Sequence, residues 1–127
     1  MSLRKRRKWS KKLSGGKVCE DYGVSGWNES MNKLEYFIGI QKKNALGDTS
    51  GTRELLIQGG LYAIFTTPKT SIYDFVNTIH RTWAYINCEW LPSSGYERTG
   101  GYEFEVYIEE SRTFSEKIYI SLKEESK

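Results

Sequence analysis

Apolar and polar residues alternate through Leu34, Tyr36, Ile38 and Ile40, with Lys33, Glu35, Phe37 and Gly39 between them. A period of two over this length predicts a half-buried strand. Residues 41–52 are polar and carry Gly47, Asp48, Ser50 and Gly51, the composition of a loop. Glu54 to Gln58 reads as a second strand, ended at Gly59-Gly60. Leu61 to Thr66 reads as a third, rich in β-branched and aromatic residues, and Pro68 stops it. Ile72, Val76, Ile79, Trp83 and Ile86 then recur at steps of four and three, behind a start signal of Ser71 and Asp74. This predicts a helix with one apolar stripe. Pro92 and Ser93-Ser94-Gly95 return the chain to a loop. Tyr102 to Ile108 alternates again, with Phe104, Val106 and Ile108 on one face and Glu103, Glu105 and Tyr107 on the other. Lys117 to Leu122 alternates last, with Ile118, Ile120 and Leu122 pointing one way.

Residues 61–122 therefore read strand, helix, strand, strand, a complete β-α-β-β unit. Residues 1–58 read as the same unit without its opening strand. Trp9 and Leu13, four residues apart and followed by Gly15-Gly16, stand for the end of a helix, and two strands follow. The predicted class is α+β: tandem β-α-β-β units, the first incomplete, forming an antiparallel sheet. Helices cover one face, and the other is left available for a ligand.

Length and composition narrow this further. A chain of 127 residues makes one domain with one modest core, and 38% hydrophobic with 28% charged residues excludes wholesale disorder. No apolar run approaches the ~18 residues of a membrane-spanning helix, and no signal-peptide pattern follows Met1. Two cysteines, Cys19 and Cys88, are too few for a disulfide framework, so the expected setting is reducing and cytoplasmic.

The net charge of +3 conceals two unlike parts. Residues 1–17 carry eight basic side chains and no acidic one; residues 18–127 carry eleven basic and sixteen acidic. The chain divides accordingly into a basic arm or helix remnant, 1–17, and an acidic body, 18–127. A basic cluster attracts phosphates without regard to sequence, but no nucleic-acid recognition motif accompanies this one.

Aromatic load is the most unusual feature: four Trp, nine Tyr and five Phe. Core packing accounts for Phe75, Phe104 and Trp83. The polar atoms of Tyr and Trp need partners, however, and so many of them suggest a pocket lining. Trp90 and Tyr96 flank a loop just before the strand that carries Glu105 and Tyr107. A carboxylate beside aromatic faces suits an organic cation, through charge pairing and cation–π contact worth ~0.5–2 kcal/mol per ring. Burial in such surroundings raises a carboxyl pKa, and a bound cation lowers it again.

Gly60-Leu61-Tyr62-Ala63-Ile64-Phe65, Trp90-Leu91-Pro92-Ser93-Ser94-Gly95-Tyr96-Glu97 and Phe104-Glu105-Val106-Tyr107 together resemble the GyrI-like effector-binding domain. Tyr22-Gly23-Val24 and Tyr36-Phe37-Ile38-Gly39-Ile40 resemble earlier stations of the same pattern, so the resemblance covers about residues 20–122. It implies SHS2-type β-α-β-β units with a pocket between them. It also implies a ligand-facing acid on the strand after the Trp-Leu-Pro loop, which here is Glu105. Tyr107, Trp90, Tyr96, Tyr36 and Trp27 complete the candidate ligand-binding set, while Glu103, nearer the strand end, is expected in solvent. The family's opening strand and most of its first helix have no counterpart in this chain. Such a gap leaves a sheet edge that a second subunit would cover. Ile120-Ser121-Leu122 departs from a pattern that often has Pro at its centre.

The resemblance implies the ligand-sensing part of a bacterial transcriptional regulator of AraC or MerR type. Its DNA-binding module would precede Met1 or reside on another chain. The alternative is a stand-alone hydrolase of reactive small molecules, with Glu105 as general base and Tyr96 or Tyr107 as donor. Against it, the lone histidine, His80, has no evident acidic or cysteine partner, and neither cysteine has a base. No metal-ligand spacing and no phosphate-cradling glycine loop occurs, so neither metal nor cofactor is expected.

Overall fold

The computed structural model describes residues 3–110 and 112–126. Residues 1 and 2 of the basic segment lie outside the described residues. In chain order the elements are helix α1 (Leu3–Ser14), strands β1 (Tyr22–Asn28) and β2 (Lys33–Gly39), strand β3 (Tyr62–Thr66) and helix α2 (Ile72–Tyr85). A π-helical turn (Ile86–Trp90) and the short helix α3 (Leu91–Ser93) lead to strands β4 (Tyr96–Arg98), β5 (Glu103–Glu110) and β6 (Thr113–Glu124). The sheet is antiparallel in the order β2-β1-β5-β6-β3, with β4 added against the end of β6.

The order shows the two-unit plan. The α1–β1–β2 unit meets the β3–α2–β5–β6 unit at the β1–β5 seam, with Gly23 opposite Glu105 and Val24 opposite Phe104. In the second unit β3 covers the outer edge of β6. Among the described residues no strand does the same for β2.

Register assigns the two faces. Glu105, Tyr107, Glu116, Ile118, Ile120, Phe65 and Gly23 share one, and Phe104, Val106, Tyr119, Tyr62 and Tyr22 share the other. Both helices lie on the first. Phe75 of α2 meets the Tyr107 ring edge-on at 6.0 Å, and Arg6 of α1 lies over the same ring at 3.7 Å. The core lies on this face too: Ile86, Ile118, Ile120 and Leu122 are buried together, with Phe65, Trp83 and Trp90 packed around them. The opposite face carries an aromatic strip, in which Phe104 and Tyr119 stack at 4.4 Å and Tyr62 meets Phe104 edge-on at 5.7 Å. The face expected to be open to a ligand is therefore not the one holding Glu105, which points between the helices.

Three local expectations change. β1 escapes the period-two pattern because Gly23 and Gly26 remove two side chains from it. Those gaps are used: a Cβ at Gly23 would collide with the Tyr36 hydroxyl, and one at Gly26 with the Tyr102 ring. Residues 53–58 form no strand and instead run beside the aromatic face. Arg53 lies over the Phe37 ring at 4.6 Å, and the Tyr62 hydroxyl donates to the Gln58 carbonyl at 2.7 Å. On α2 the buried residues are Phe75 and Thr78, followed by Ile86 in the π-helical turn, whereas Ile72 and Val76 are exposed.

Helix α1 is a three-turn helix that buries Arg6, Leu13 and Ser14. Its end shows how a loop fixes it. Gly15 and Gly16 take left-handed φ of 70° and 89°, which glycine adopts without Cβ strain. The Gly47 and Asp48 N–H groups then donate to the Leu13 and Lys12 carbonyls at 2.9 and 3.1 Å, satisfying acceptors that the last turn leaves free. A Cβ at Gly47 would strike the Lys12 carbonyl. The 41–52 loop thus caps α1 and holds Arg6 over the sheet.

Candidate functional site

Glu105 stands at the seam, half-buried, with each carboxylate oxygen held separately. Trp83 Nε1 donates to Oε1 at 2.9 Å, and the Tyr107 hydroxyl donates to Oε2 at 3.0 Å. Each oxygen retains a lone pair, and the carboxylate is fixed between an indole and a phenol. Burial, and next the Glu105 charge, push the Tyr107 phenol well above its ordinary range, so it remains a donor.

Arg6 roofs one side. Its Nε faces Asp21 Oδ2 at 3.3 Å, its Nη1 donates to the Tyr36 hydroxyl at 3.3 Å, and it is only 4% exposed. Burial by itself works against this guanidinium, but Tyr107, Tyr36 and Asp21 around it hold its pKa above the ordinary value. Tyr36 reaches Arg6 by crossing the space over Gly23, so the glycine is part of the site's geometry. On α2, Val76 and Ile79 share the helix line of Trp83, at i, i+3 and i+7; Val76 is exposed and Ile79 half-exposed. The flank of α2 that carries Trp83 is thus apolar.

A second acid completes the cluster. Glu116 lies opposite Tyr107 on β6, diagonal to Glu105, and is fully buried. No donor reaches either of its carboxyl oxygens, and Arg6 Nη2 has no acceptor. Burial first, then the Glu105 charge and the hydrogen bond the protonated acid donates to Glu105, push the Glu116 carboxyl up to about 9, although Arg6 opposes them. It is therefore neutral near pH 7.

Of the predicted set, Glu105, Tyr107 and Tyr36 come together. Trp90 meets Phe65 edge-on at 4.9 Å, and it and Tyr96 pack on the buried isoleucines. Trp27 shares the Glu105 face but lies four residues along β1 from Gly23, ~13 Å at strand rise, and is 55% exposed. Glu103, expected in solvent, is 18% exposed in its side chain and pairs with Arg98 Nε at 2.6 Å. The residues the sequence reading missed are Trp83, Arg6, Asp21 and Glu116. Glu116 had a signal, because it precedes Ile118, Ile120 and Leu122 on the inward side of β6, where a carboxyl is out of place. Among the described residues no group of three or more His, Cys, Asp and Glu is placed to hold a metal ion.

A two-unit antiparallel sheet, with both helices over one face and an aromatic-held carboxylate at the seam, defines a small-molecule-binding domain of α+β class. The family model described as the GyrI-like small molecule binding domain matches residues 2–123, and the chain belongs to that family. The match takes in α1 as well as the body. No curated protein and no solved structure matches the chain at a significant level. Among the described residues no helix is long and apolar enough to cross a membrane.

Proposed function

We propose that the domain captures a small organic cation at Glu105, without turnover, as the ligand-sensing part of a cytoplasmic bacterial transcriptional regulator. The observation that carries this reading is the Glu105 carboxylate, held by Trp83 and Tyr107 beside an apolar helix flank. A desolvated cation gains there both charge pairing and ring contacts of ~0.5–2 kcal/mol each. Arg6 gives capture a route to the backbone, because a ligand seated at Tyr107 must share the ring with a residue of α1. A DNA-binding module and a second copy along the β2 edge belong to the same proposal.

Calorimetric titration with benzyltrimethylammonium and its neutral isostere neopentylbenzene tests the reading. Glu105→Gln is expected to weaken the cation about tenfold or more, equivalent to ~1.4 kcal/mol, and the neutral compound much less. Equal losses for the two would overturn it. Glu105 as a general base with Tyr107 as donor is the hydrolytic alternative. Turnover of an ester or epoxide panel that Glu105→Gln abolishes would replace binding with catalysis.

A further inference from the structure

Glu116 has no part in the reading above, yet a fully buried carboxyl is an unusual thing to place inside a sheet face. A fully buried carboxyl that no donor reaches, and whose proton is held against the Glu105 carboxylate, costs stability that an apolar residue would not. Its neighbours Ile118, Ile120 and Leu122 show what the inward side of β6 otherwise holds. Glu116 is not stranded at random. It sits diagonal to Glu105 across β5–β6, where Cα atoms are ~7–8 Å apart and two glutamate side chains can meet one ligand.

We propose that Glu116 is a second anionic anchor of this site, and that the site prefers ligands carrying two positive centres close together. This rests on the proposed binding of cations at Glu105. The groups facing Glu116 set the charge balance. Glu105 and Tyr107 face it from β5, and Arg6 faces it from α1, with its own charge already shared with Asp21 and Tyr36. Thr67 Oγ1 accepts the Glu116 backbone N–H and makes no hydrogen bond to its carboxyl. A monocation is matched by Glu105 alone and leaves Glu116 protonated. A dication is matched by both acids: the Glu116 O–H bond breaks, its electron pair stays on the carboxylate, and the proton leaves to the buffer.

The test uses two permanently charged probes of the same shape, so that every proton counted comes from the protein. One is benzyldimethyl(2-trimethylammonioethyl)ammonium, the dication. The other is benzyldimethyl(3,3-dimethylbutyl)ammonium, in which carbon replaces the second nitrogen. Affinities are measured by calorimetry from pH 6 to pH 10 in buffers of differing ionisation enthalpy. The ratio of dication to monocation affinity is expected to rise about tenfold per pH unit and level off near the Glu116 pKa, with release of up to one proton confined to the dication. Glu116→Gln, the isostere of the protonated acid, is expected to flatten that ratio. A ratio already flat in the wild type, or one that still rises in the variant, overturns this inference alone. Failure of both probes to bind overturns the reading of Glu105 and this inference with it.

Discussion

The indole N–H of Trp83 donates to Glu105 Oε1 at 2.9 Å, tying the second helix to the strand at the seam of the two units. Trp83 thus serves two purposes, with its ring against the isoleucine core and its polar edge on the carboxylate. Trp83→Phe retains most of the packing and removes the donor. A hydrogen bond to a charged group contributes ~1.5–3 kcal/mol, and the half-buried setting places the expected loss at the lower end. Urea unfolding checks the stability, and titration with benzyltrimethylammonium is expected to show weaker binding because the carboxylate is held at one oxygen only.

Gly23→Ala tests the space over β1. The added methyl would occupy the place of the Tyr36 hydroxyl, the far end of a long and half-exposed side chain, so the ring swings out and the strand survives. The melting temperature is expected to fall by a few degrees, about 1 kcal/mol, as the Arg6–Tyr36 hydrogen bond is lost. Collapse of the fold would show that Tyr36 cannot move as this geometry requires.

Arg6 separates charge from shape. Arg6→Met leaves Asp21 half of a largely buried pair, and the expected loss is about 3 kcal/mol in urea unfolding. Arg6→Lys keeps the charge but loses the flat guanidinium that stacks on Tyr107 at 3.7 Å, so an intermediate loss is expected. Equal stability of the two variants would show that the charge contributes nothing.

Stability should fall with rising pH because of Glu116. Its pKa is about 9 folded against 4.5 unfolded, so between those values the native state holds a proton that the unfolded state has released. More protons bound to the native state means that unfolding becomes easier as pH rises, by up to ~1.4 kcal/mol per unit. The stabilising effect of acid is complete below about 4.5 and fully lost above about 9. Glu116→Gln is expected to remove this slope in urea midpoints measured from pH 5 to pH 9, and an unchanged slope would place its origin elsewhere.

The outer edge of β2 has no strand partner among the described residues, where β6 in the second unit is covered by β3. Leu34 and Tyr36 on that strand are 66% and 52% exposed. A dimer at micromolar concentration is expected by light scattering; a monomeric mass would leave the edge uncovered.

One pair of the candidate site is legible before any fold is known. The alternation of β5 places Glu105 and Tyr107 on one face whatever packs above them, because strand side chains repeat every second residue. Trp90 and Tyr96 flank the loop preceding that strand, a position that predicts pocket residues. The π-helical turn and the pairing of β4 with the end of β6 turn both toward the isoleucine core instead. Core packing explains only the ring of Trp83, because its indole nitrogen is on Glu105.

By itself the sequence determined the α+β class, the strands β2, β3, β5 and β6, the helix α2, and the shared face of Glu105 and Tyr107. These follow from periodicity, a local property of the backbone. Tertiary structure alone decided which face the helices cover, and so whether Glu105 meets open solvent or the side chains of α2. It also brought Arg6, Asp21, Tyr36 and Glu116 to one place from four separate segments. Register and long-range packing set those contacts, and no window of neighbouring residues contains them. The contrast between a basic start and an acidic body was visible from the first residues. That one cation from the start is buried on a tyrosine of the body required the fold.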